Sequence, residues 1–301
     1  MTIEYPRPGE PRRPSGPRDP GDAWVIADSG ERYWGRFGAA GLLAYDAVRG
    51  VLLQHRVSWS HHGDTWGLPG GARHEGESAR AGALREAQEE AGVPDGAVRA
   101  RLMSVLDLQV WTYATVVADV IRPFEPVISD PESVALEWVP VAEVDQRPLH
   151  PGFADAWPRL RALLDVRPAL VVDAANVVGS VPDGWWRDRL GAADRLIDDV
   201  TRLVDEGVDA AALDLAAGTW FPETSVVVEG REKAVSDRDG SRVRIVRAAA
   251  SGDDTIVGEA TRLVDAGRTV TVVTSDRELS DRCGAVGASV HGARWLRDLF
   301  L

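Results

Sequence analysis

Residues 70–93, GGARHEGESARAGALREAQEEAGV, constrain the fold of this chain more than any other stretch. A glycine pair opens it, Ser78 is placed to cap a helix, and Gly92 with Pro94 just beyond supplies a stop, so one helix is expected between them. Ala79, Ala83, Ala87 and Ala91 recur every fourth residue and give a face small enough to lie close against a sheet. Glu86, Glu89 and Glu90 fall at i, i+3 and i+4, so they are expected to share a face opposite the alanines. Like charges so placed repel, and Arg85 alone cannot neutralise three. Hard divalent ions such as Mg²⁺ take carboxylate and carbonyl oxygens and keep positions for water or phosphate. This helix therefore reads as one wall of a cation site. An arbitrary Glu pair is ordinarily a solvated helix face with ion pairs, and it is the surrounding spacing that argues against that here.

That spacing is Gly71, five residues, Glu77, seven residues, Arg85-Glu86-Ala87, one residue, Glu89-Glu90, one residue, Gly92-Val93. It resembles the Nudix hydrolase signature at every fixed position. The resemblance covers residues 22–165 and implies an α+β domain whose mixed sheet lies between helices. It also implies cleavage of a nucleoside diphosphate linked to another moiety, with Mg²⁺ or Mn²⁺ as cofactor. By position in that signature, Glu86, Glu89, Glu90 and the carbonyl of Gly71 are metal ligands, Arg85 orients the glutamates, and Glu77 braces the loop. The general base stays open between Glu89 and Glu90. A further carboxylate is expected from a later loop, with Glu132 in PESVALEW as the choice and Glu137 as its competitor.

The flanking pattern agrees with α+β order. FGAAGLLAYD and GVLLQHRV read as a hairpin around Gly50, RLMSVLDLQV, WTYATVVADVI and ALEWVPV as further strands, and DAWPRLRALL as a closing helix. In WSHHGDTWGLPGG, Trp66 is a candidate substrate contact; His61 and His62 are expected to diverge, since neighbours in extended chain point to opposite sides. Residues 1–21, with six prolines and four arginines in the first twenty, are expected to be a disordered leader.

The seam is expected at VRPAL, residues 166–170, and a second domain over 168–301. There ALVVDAANVV, TSVVVEG, RVRIVRAA and TVTVVTSD alternate with helical patterns, one of them from Trp185 to Glu206, and predict an α/β fold with a parallel sheet. Acids at the carboxyl ends of parallel strands gather in one crevice. VVDAANVVGS, ASGDDTIV and VTSDREL resemble the NYN group of PIN-like nucleases, which bind or cut RNA with Mg²⁺. By that resemblance Asp173, Asp253, Asp254 and Asp276 are metal ligands and Asn176 a substrate contact, with Glu229 where an Asp is expected. Taken singly, Asp253 and Asp276 also read as helix caps. Arg242 and Arg244 share a strand face and read equally as a phosphate track or as the wet side of an edge.

Composition bounds the remainder. A formal charge of −13 argues against broad gripping of duplex nucleic acid, which requires a basic surface. No apolar run is long enough to span a membrane, and a single cysteine, Cys283, excludes an intramolecular disulfide framework and any multi-thiolate zinc site. A cytoplasmic protein is expected, with a nucleotide-type small molecule as substrate, RNA as a partner of the second half, and no membrane partner. Two other readings stay open: a non-catalytic RNA-binding or interaction module in the second half, or a nucleotide-sensing protein throughout. The oligomeric state is not legible.

Overall fold

The computed structural model describes residues 1–6, 19–181, 184–238 and 240–300. The chain divides into two compact units, Met1–Leu164 and Asp165–Leu301.

The first unit begins with a small antiparallel sheet of β1 (Thr2–Glu4), β2 (Trp24–Ile26) and β3 (Arg32–Trp34). This corrects the expected leader at its start, where Thr2 pairs with Ile26 and Ile3 with Val25. Composition averaged over twenty residues hid two β-branched side chains at the head of the chain. Residues 7–18 of that expected leader lie outside the described residues.

Next come β4 (Ala39–Asp46), β5 (Gly50–Arg56), the short β6 (Trp66–Gly67) and β7 (Gly70–Ala72), then α1 (Ala79–Ala91). They are followed by β8 (Val98–Asp107), β9 (Thr112–Val120), β10 (Ser133–Val139) and α2 (Pro151–Leu163). The main sheet runs β10-β5-β4-β9-β8, with β6 on β5 and β7 on β4. Only the β4–β9 pair in that run is parallel, so the sheet is mixed, as expected. Its centre is apolar: Leu42, Leu43, Leu52, Leu53 and Leu102 are fully buried, as are Trp157 and Leu160 of α2.

Helix α1 starts and stops where its cap residues place it. The Ser78 side chain accepts the Ala81 N–H, and Gly92 at φ 62° donates its own N–H back into the last turn. A left-handed cap of this kind favours glycine because it lacks a Cβ. Ala83, Ala87 and Ala91 are fully buried, and this small face lets the helix pack on β4, β7 and β9.

The division between Leu164 and Asp165 falls at the near edge of the seam expected at 166–170, and the first strand of the second unit is β11 (Pro168–Asp173). Proline is tolerated as the first residue of a strand, and Pro168 is already in register with Thr269. Then follow α3 (Ala174–Gly179), α4 (Arg189–Glu206), the two-residue strands β12 (Val208–Asp209) and β13 (Thr219–Trp220), which pair antiparallel, β14 (Glu223–Val228) and β15 (Val243–Arg247). The unit closes with α5 (Gly252–Asp265), β16 (Thr269–Val273), α6 (Arg277–Ala285), β17 (Ser289–His291) and α7 (Ala293–Asp298).

The second sheet, β15-β14-β11-β16-β17, is parallel at every pairing, in line with the alternating pattern. Two expected details change. The helix drawn from Trp185 begins at Arg189, because Asp188 caps it by accepting the Gly191 N–H at 2.9 Å. Between β14 and β15 the chain makes one 3₁₀ turn, Gly230–Ala234, in place of a helix. Among the described residues no helix is long and apolar enough to cross a membrane.

Candidate active site

The glutamate helix meets the glycine turn around one cation. Arg85 donates from Nε to Glu77 Oε1 (2.9 Å), from Nη2 to Glu77 Oε2 (3.0 Å) and to the Ala72 carbonyl (3.0 Å), and from Nη1 to Glu86 Oε1 (2.9 Å) and Glu89 Oε2 (3.1 Å). A planar guanidinium with a fixed fork of donors suits this, since one side chain can face several carboxylates at once. Glu77 closes the loop from the other side, accepting the His74 N–H at 2.9 Å, while its carbonyl takes Arg73. The Arg85 hydrogen bond, ahead of the opposing effect of burial, holds the Glu77 carboxyl below its ordinary value of 4.5.

The three glutamates do not share a face opposite the alanines, which corrects the helical-wheel expectation. Glu86 and Glu90 are 0% and 4% exposed and belong to the buried side with Ala83 and Ala87, whereas the Glu89 side chain is 44% exposed. One residue of offset turns a helix by about 100°, so positions 86 and 90 flank the alanine stripe instead of opposing it. Gly71 explains how a buried carboxylate fits there. A Cβ on Gly71 would lie 2.8 Å from the Glu86 carboxyl atoms, so the loop backbone comes against that group only because the residue is glycine. Glu90 is set by backbone and sheet together: its Oε2 accepts the Gly70 N–H at 2.9 Å and faces Gln54 Nε2 at 3.5 Å.

Gln54 also donates to Ser133 Oγ at 2.8 Å, and Ser129 N–H reaches the Glu90 carbonyl, so the segment leading into β10 runs beside the end of α1. Glu132 sits in that segment, half-buried, with its backbone N–H on Asp130 Oδ1 and its carbonyl on the Val57 N–H. Its competitor Glu137 is paired with Arg147 at 2.8 Å. Trp66, the candidate substrate contact, has little free ring face. The indole is 6% exposed, lies parallel to His55 with ring centroids 4.8 Å apart, and has the Arg147 guanidinium 4.7 Å from its centroid. His61 and His62 do not diverge, because the chain is not extended there: His62 is left-handed at φ 55°, and the two rings meet with centroids 4.1 Å apart.

Sequence reasoning missed three neighbours of the site. Gln54 and Arg56 share one face of β5 by strand alternation. Arg56 has its Nε buried without a hydrogen-bond partner. The buried Tyr113 hydroxyl is pushed up to about 12 by burial, with Arg56 opposing the shift and Glu90 adding to it, so it stays protonated. Only the alternation of β5 and β9 hinted at these positions, since single polar residues in apolar strands carry no spacing.

In the second unit, Asp173, Asn176, Glu229, Asp253 and Asp276 line one cavity of about 230 Å³ at the carboxyl ends of the central strands. Asp173 caps α3 by accepting the Asn176 N–H, and its other oxygen accepts Thr274 Oγ1 at 2.9 Å. Burial is the main cause that raises its carboxyl, with the Asp253 and Glu229 charges adding. Asn176 Oδ1 accepts the Ser275 N–H at 2.8 Å, and Glu229 accepts the Gly252 N–H at 3.0 Å. Asp254 is not part of this lining: the next residue along a helix points elsewhere, and its carboxylate pairs with Arg282 at 2.5 Å. Ser251, and not Asp253, caps α5, while Asp276 does cap α6. Arg244 is paired with Glu259 and Arg242 lies 3.9 Å from Asp205, so both guanidiniums of the proposed phosphate track face the chain's own acids.

The NUDIX domain family model matches residues 35–161. A Mycobacterium tuberculosis protein named "Putative 8-oxo-dGTP diphosphatase 3" is 49% identical over 154 residues, which are 48% of this chain and 70% of that protein. A Bifidobacterium longum protein named "Nucleoside triphosphate pyrophosphatase/Nudix hydrolase fusion protein" is 41% identical over 155 residues, 48% of this chain and 32% of its own length. The crystal structure of a Nudix hydrolase from M. smegmatis is 45% identical, covers 48% of this chain and 94% of the solved one, and superposes with a TM-score of 0.44. The chain belongs to the Nudix hydrolases, enzymes that act on phosphoanhydride bonds of nucleotide substrates.

Proposed function

We propose that the first unit hydrolyses a nucleoside triphosphate to the monophosphate and pyrophosphate, with an oxidised purine triphosphate of the 8-oxo-dGTP type as its preferred substrate. The observation that carries this reading is the array around Arg85, in which Glu86, Glu89 and the glycine-turn backbone are held together by one guanidinium. The substrate preference rests on the name of the 49% identical relative. The donor set of Glu86, Glu89, Glu90 and the Gly71 carbonyl consists of hard oxygens and fits Mg²⁺ or Mn²⁺. A divalent ion held by these oxygens would offset phosphate charge and make a bound water more acidic.

The chain's own residues supply the rest. Arg85 keeps the glutamates in place without spending a substrate contact. Either Glu89, half in solvent, or Glu90, fixed by the Gly70 N–H, takes the proton from the attacking water. Arg56 brings an unspent donor and a fixed charge that suits a phosphate oxygen, and Tyr113, kept protonated, stands within the electrostatic reach of both Arg56 and Glu90. In the test, 8-oxo-dGTP, ordinary triphosphates, dinucleoside polyphosphates, nucleotide sugars and capped RNA are compared with Mg²⁺ or Mn²⁺. We expect pyrophosphate from the triphosphates and phosphoanhydride cleavage products from the others, with turnover fastest on 8-oxo-dGTP and abolished by chelation. No release from any of them under either ion would refute the reading.

The cavity of the second unit supports a second reading. The central strands reverse their direction of connection on either side of β11, and acids from separate stretches meet at that point. We infer an NYN/PIN-like domain over 168–301 that binds single-stranded RNA with Mg²⁺ through Asp173, Asn176, Asp253 and Asp276, with Glu229 in the place of an Asp. Asp173→Asn in the full chain is expected to weaken Mg²⁺-dependent RNA binding or cleavage at least ~10-fold while nucleotide hydrolysis stays intact. Equal RNA behaviour of the variant and the parent would remove this reading.

A further inference from the structure

The loop before β6 carries a second constellation that the hydrolytic site does not use. His61 and His62 stand on the turn that follows β5, and His150 caps α2 from the other side. Their ring nitrogens lie within 4.8 Å of one another, and the His62 and His150 ring centroids are 4.8 Å apart. Backbone holds both sides of the cluster. The His62 carbonyl accepts Thr65 Oγ1 at 2.5 Å, and Gly63 N–H bonds the Ser60 carbonyl at 2.9 Å. His150 N–H donates to the Trp66 carbonyl at 2.8 Å, while Trp66 N–H donates to the Pro148 carbonyl at 2.8 Å.

We propose that His61, His62 and His150 bind a divalent transition ion of the Zn²⁺ class, separate from the glutamate site. Neutral imidazoles suit Zn²⁺, Cu²⁺ and Ni²⁺, whereas Mg²⁺ prefers oxygen, so ligand type sorts ions between the two sites. His61 and His150 are held toward the lone-pair form. Burial, with the neighbouring His62 and Arg56 charges, pushes His150 down to about 4, and the same causes lower His61. A tetrahedral zinc with bonds of about 2.0–2.1 Å requires its nitrogens roughly 3.3 Å apart, so binding requires the exposed His61 and His62 to close in by side-chain rotation. The proton count is fixed as well. His150 Nδ1 accepts the Gly152 N–H at 3.2 Å, so its neutral ring carries the proton on Nε2 and has one lone pair. Ligation transfers that lone pair from the helix cap to the ion, with no proton lost. Three imidazoles leave a fourth position for water. Arg56 works against any cation here and lowers the expected affinity.

The test uses the full chain in millimolar Mg²⁺, with Zn²⁺ binding followed by calorimetry and Co²⁺ binding by its visible d–d absorption. His62→Asn keeps a residue that tolerates the left-handed backbone, and His150→Asn keeps a helix-capping side chain, so each removes an imidazole without removing the local structure. One equivalent of Zn²⁺ is expected in the parent chain and in Glu90→Gln, with affinity at least ~10-fold weaker in either histidine variant. No Zn²⁺ retained in excess Mg²⁺, or retention in the histidine variants with loss in Glu90→Gln, overturns the proposal. This outcome is independent of whether the glutamate site hydrolyses nucleotides.

Discussion

Glu90→Gln is expected to lower kcat for phosphoanhydride hydrolysis by about 10³-fold and to leave the melting temperature within a few degrees of the parent. The fold survives because the substituted amide keeps an oxygen for the Gly70 N–H, the bond that ties the helix to the glycine turn. Its amide also fills the same volume between the turn and Gln54. What disappears is one negative charge at a position 4% exposed, where water screens little. Charge stabilisation by a bound divalent ion is worth several kcal/mol, and each 1.36 kcal/mol is a tenfold change in rate. The measurement is kcat across a Mg²⁺ titration with the best substrate of the panel. Raising Mg²⁺ is expected to restore part of the loss if Glu90 acts as a ligand, and none if it acts only as the base. Turnover equal to the parent at every Mg²⁺ concentration removes Glu90 from the site.

How far this site was legible depends on how local its determinants are. The caps of α1 are local: Ser78 and Gly92 act on the nearest turns, and both do what their residue types dictate. The parallel sheet also followed from pattern, since alternation and helix spacing are properties of short windows, whereas the mixed sheet was expected from the family resemblance. The burial of Glu86 and Glu90 was not local. Their orientation depends on β4 and β7 packing against the alanine stripe, and on Gly71 leaving room where a side chain would collide. Trp66 shows the same limit in reverse. An aromatic beside a glycine turn reads as a stacking platform until His55 and Arg147, eleven positions before it and eighty-one after it, cover it. The histidine pair failed on a single dihedral angle, the left-handed φ of His62, which residue type alone does not announce. In the second unit the acids that line the cavity were found by strand-end position, while the aim of Asp254 was set by Arg282 on α6, twenty-eight residues away.

Arg85→Met is expected to destabilise the chain by about 3–5 kcal/mol, the range for removing one partner from a buried ion pair. Methionine retains the apolar stem, so the loss is electrostatic. The Glu86 side chain is 1% exposed and loses its guanidinium partner, and Glu77, 13% exposed, loses both of its bonds to Arg85. Glu89, at 44% exposure, is solvated and adds little. Lysine in place of Arg85 restores the charge as a single compact ammonium that cannot face Glu77, Glu86 and the Ala72 carbonyl together, so partial recovery is expected. Adding Glu86→Gln to Arg85→Met removes the buried charge that the guanidinium offset and is expected to return part of the lost stability, a coupling read from a double-mutant cycle. Acid titration supplies a second signature. Because the Glu77 carboxyl is held below 4.5 in the folded state, its contribution is complete at neutral pH and is lost as the pH falls below 4.5. Arg85→Met removes the main cause of that depression, so its stability should change less steeply with pH over the same window than that of the parent. Thermal melting of both proteins from neutral pH down through that range decides the matter: equal midpoints at neutral pH and parallel acid limbs would mean that the guanidinium is not what holds the carboxylates together.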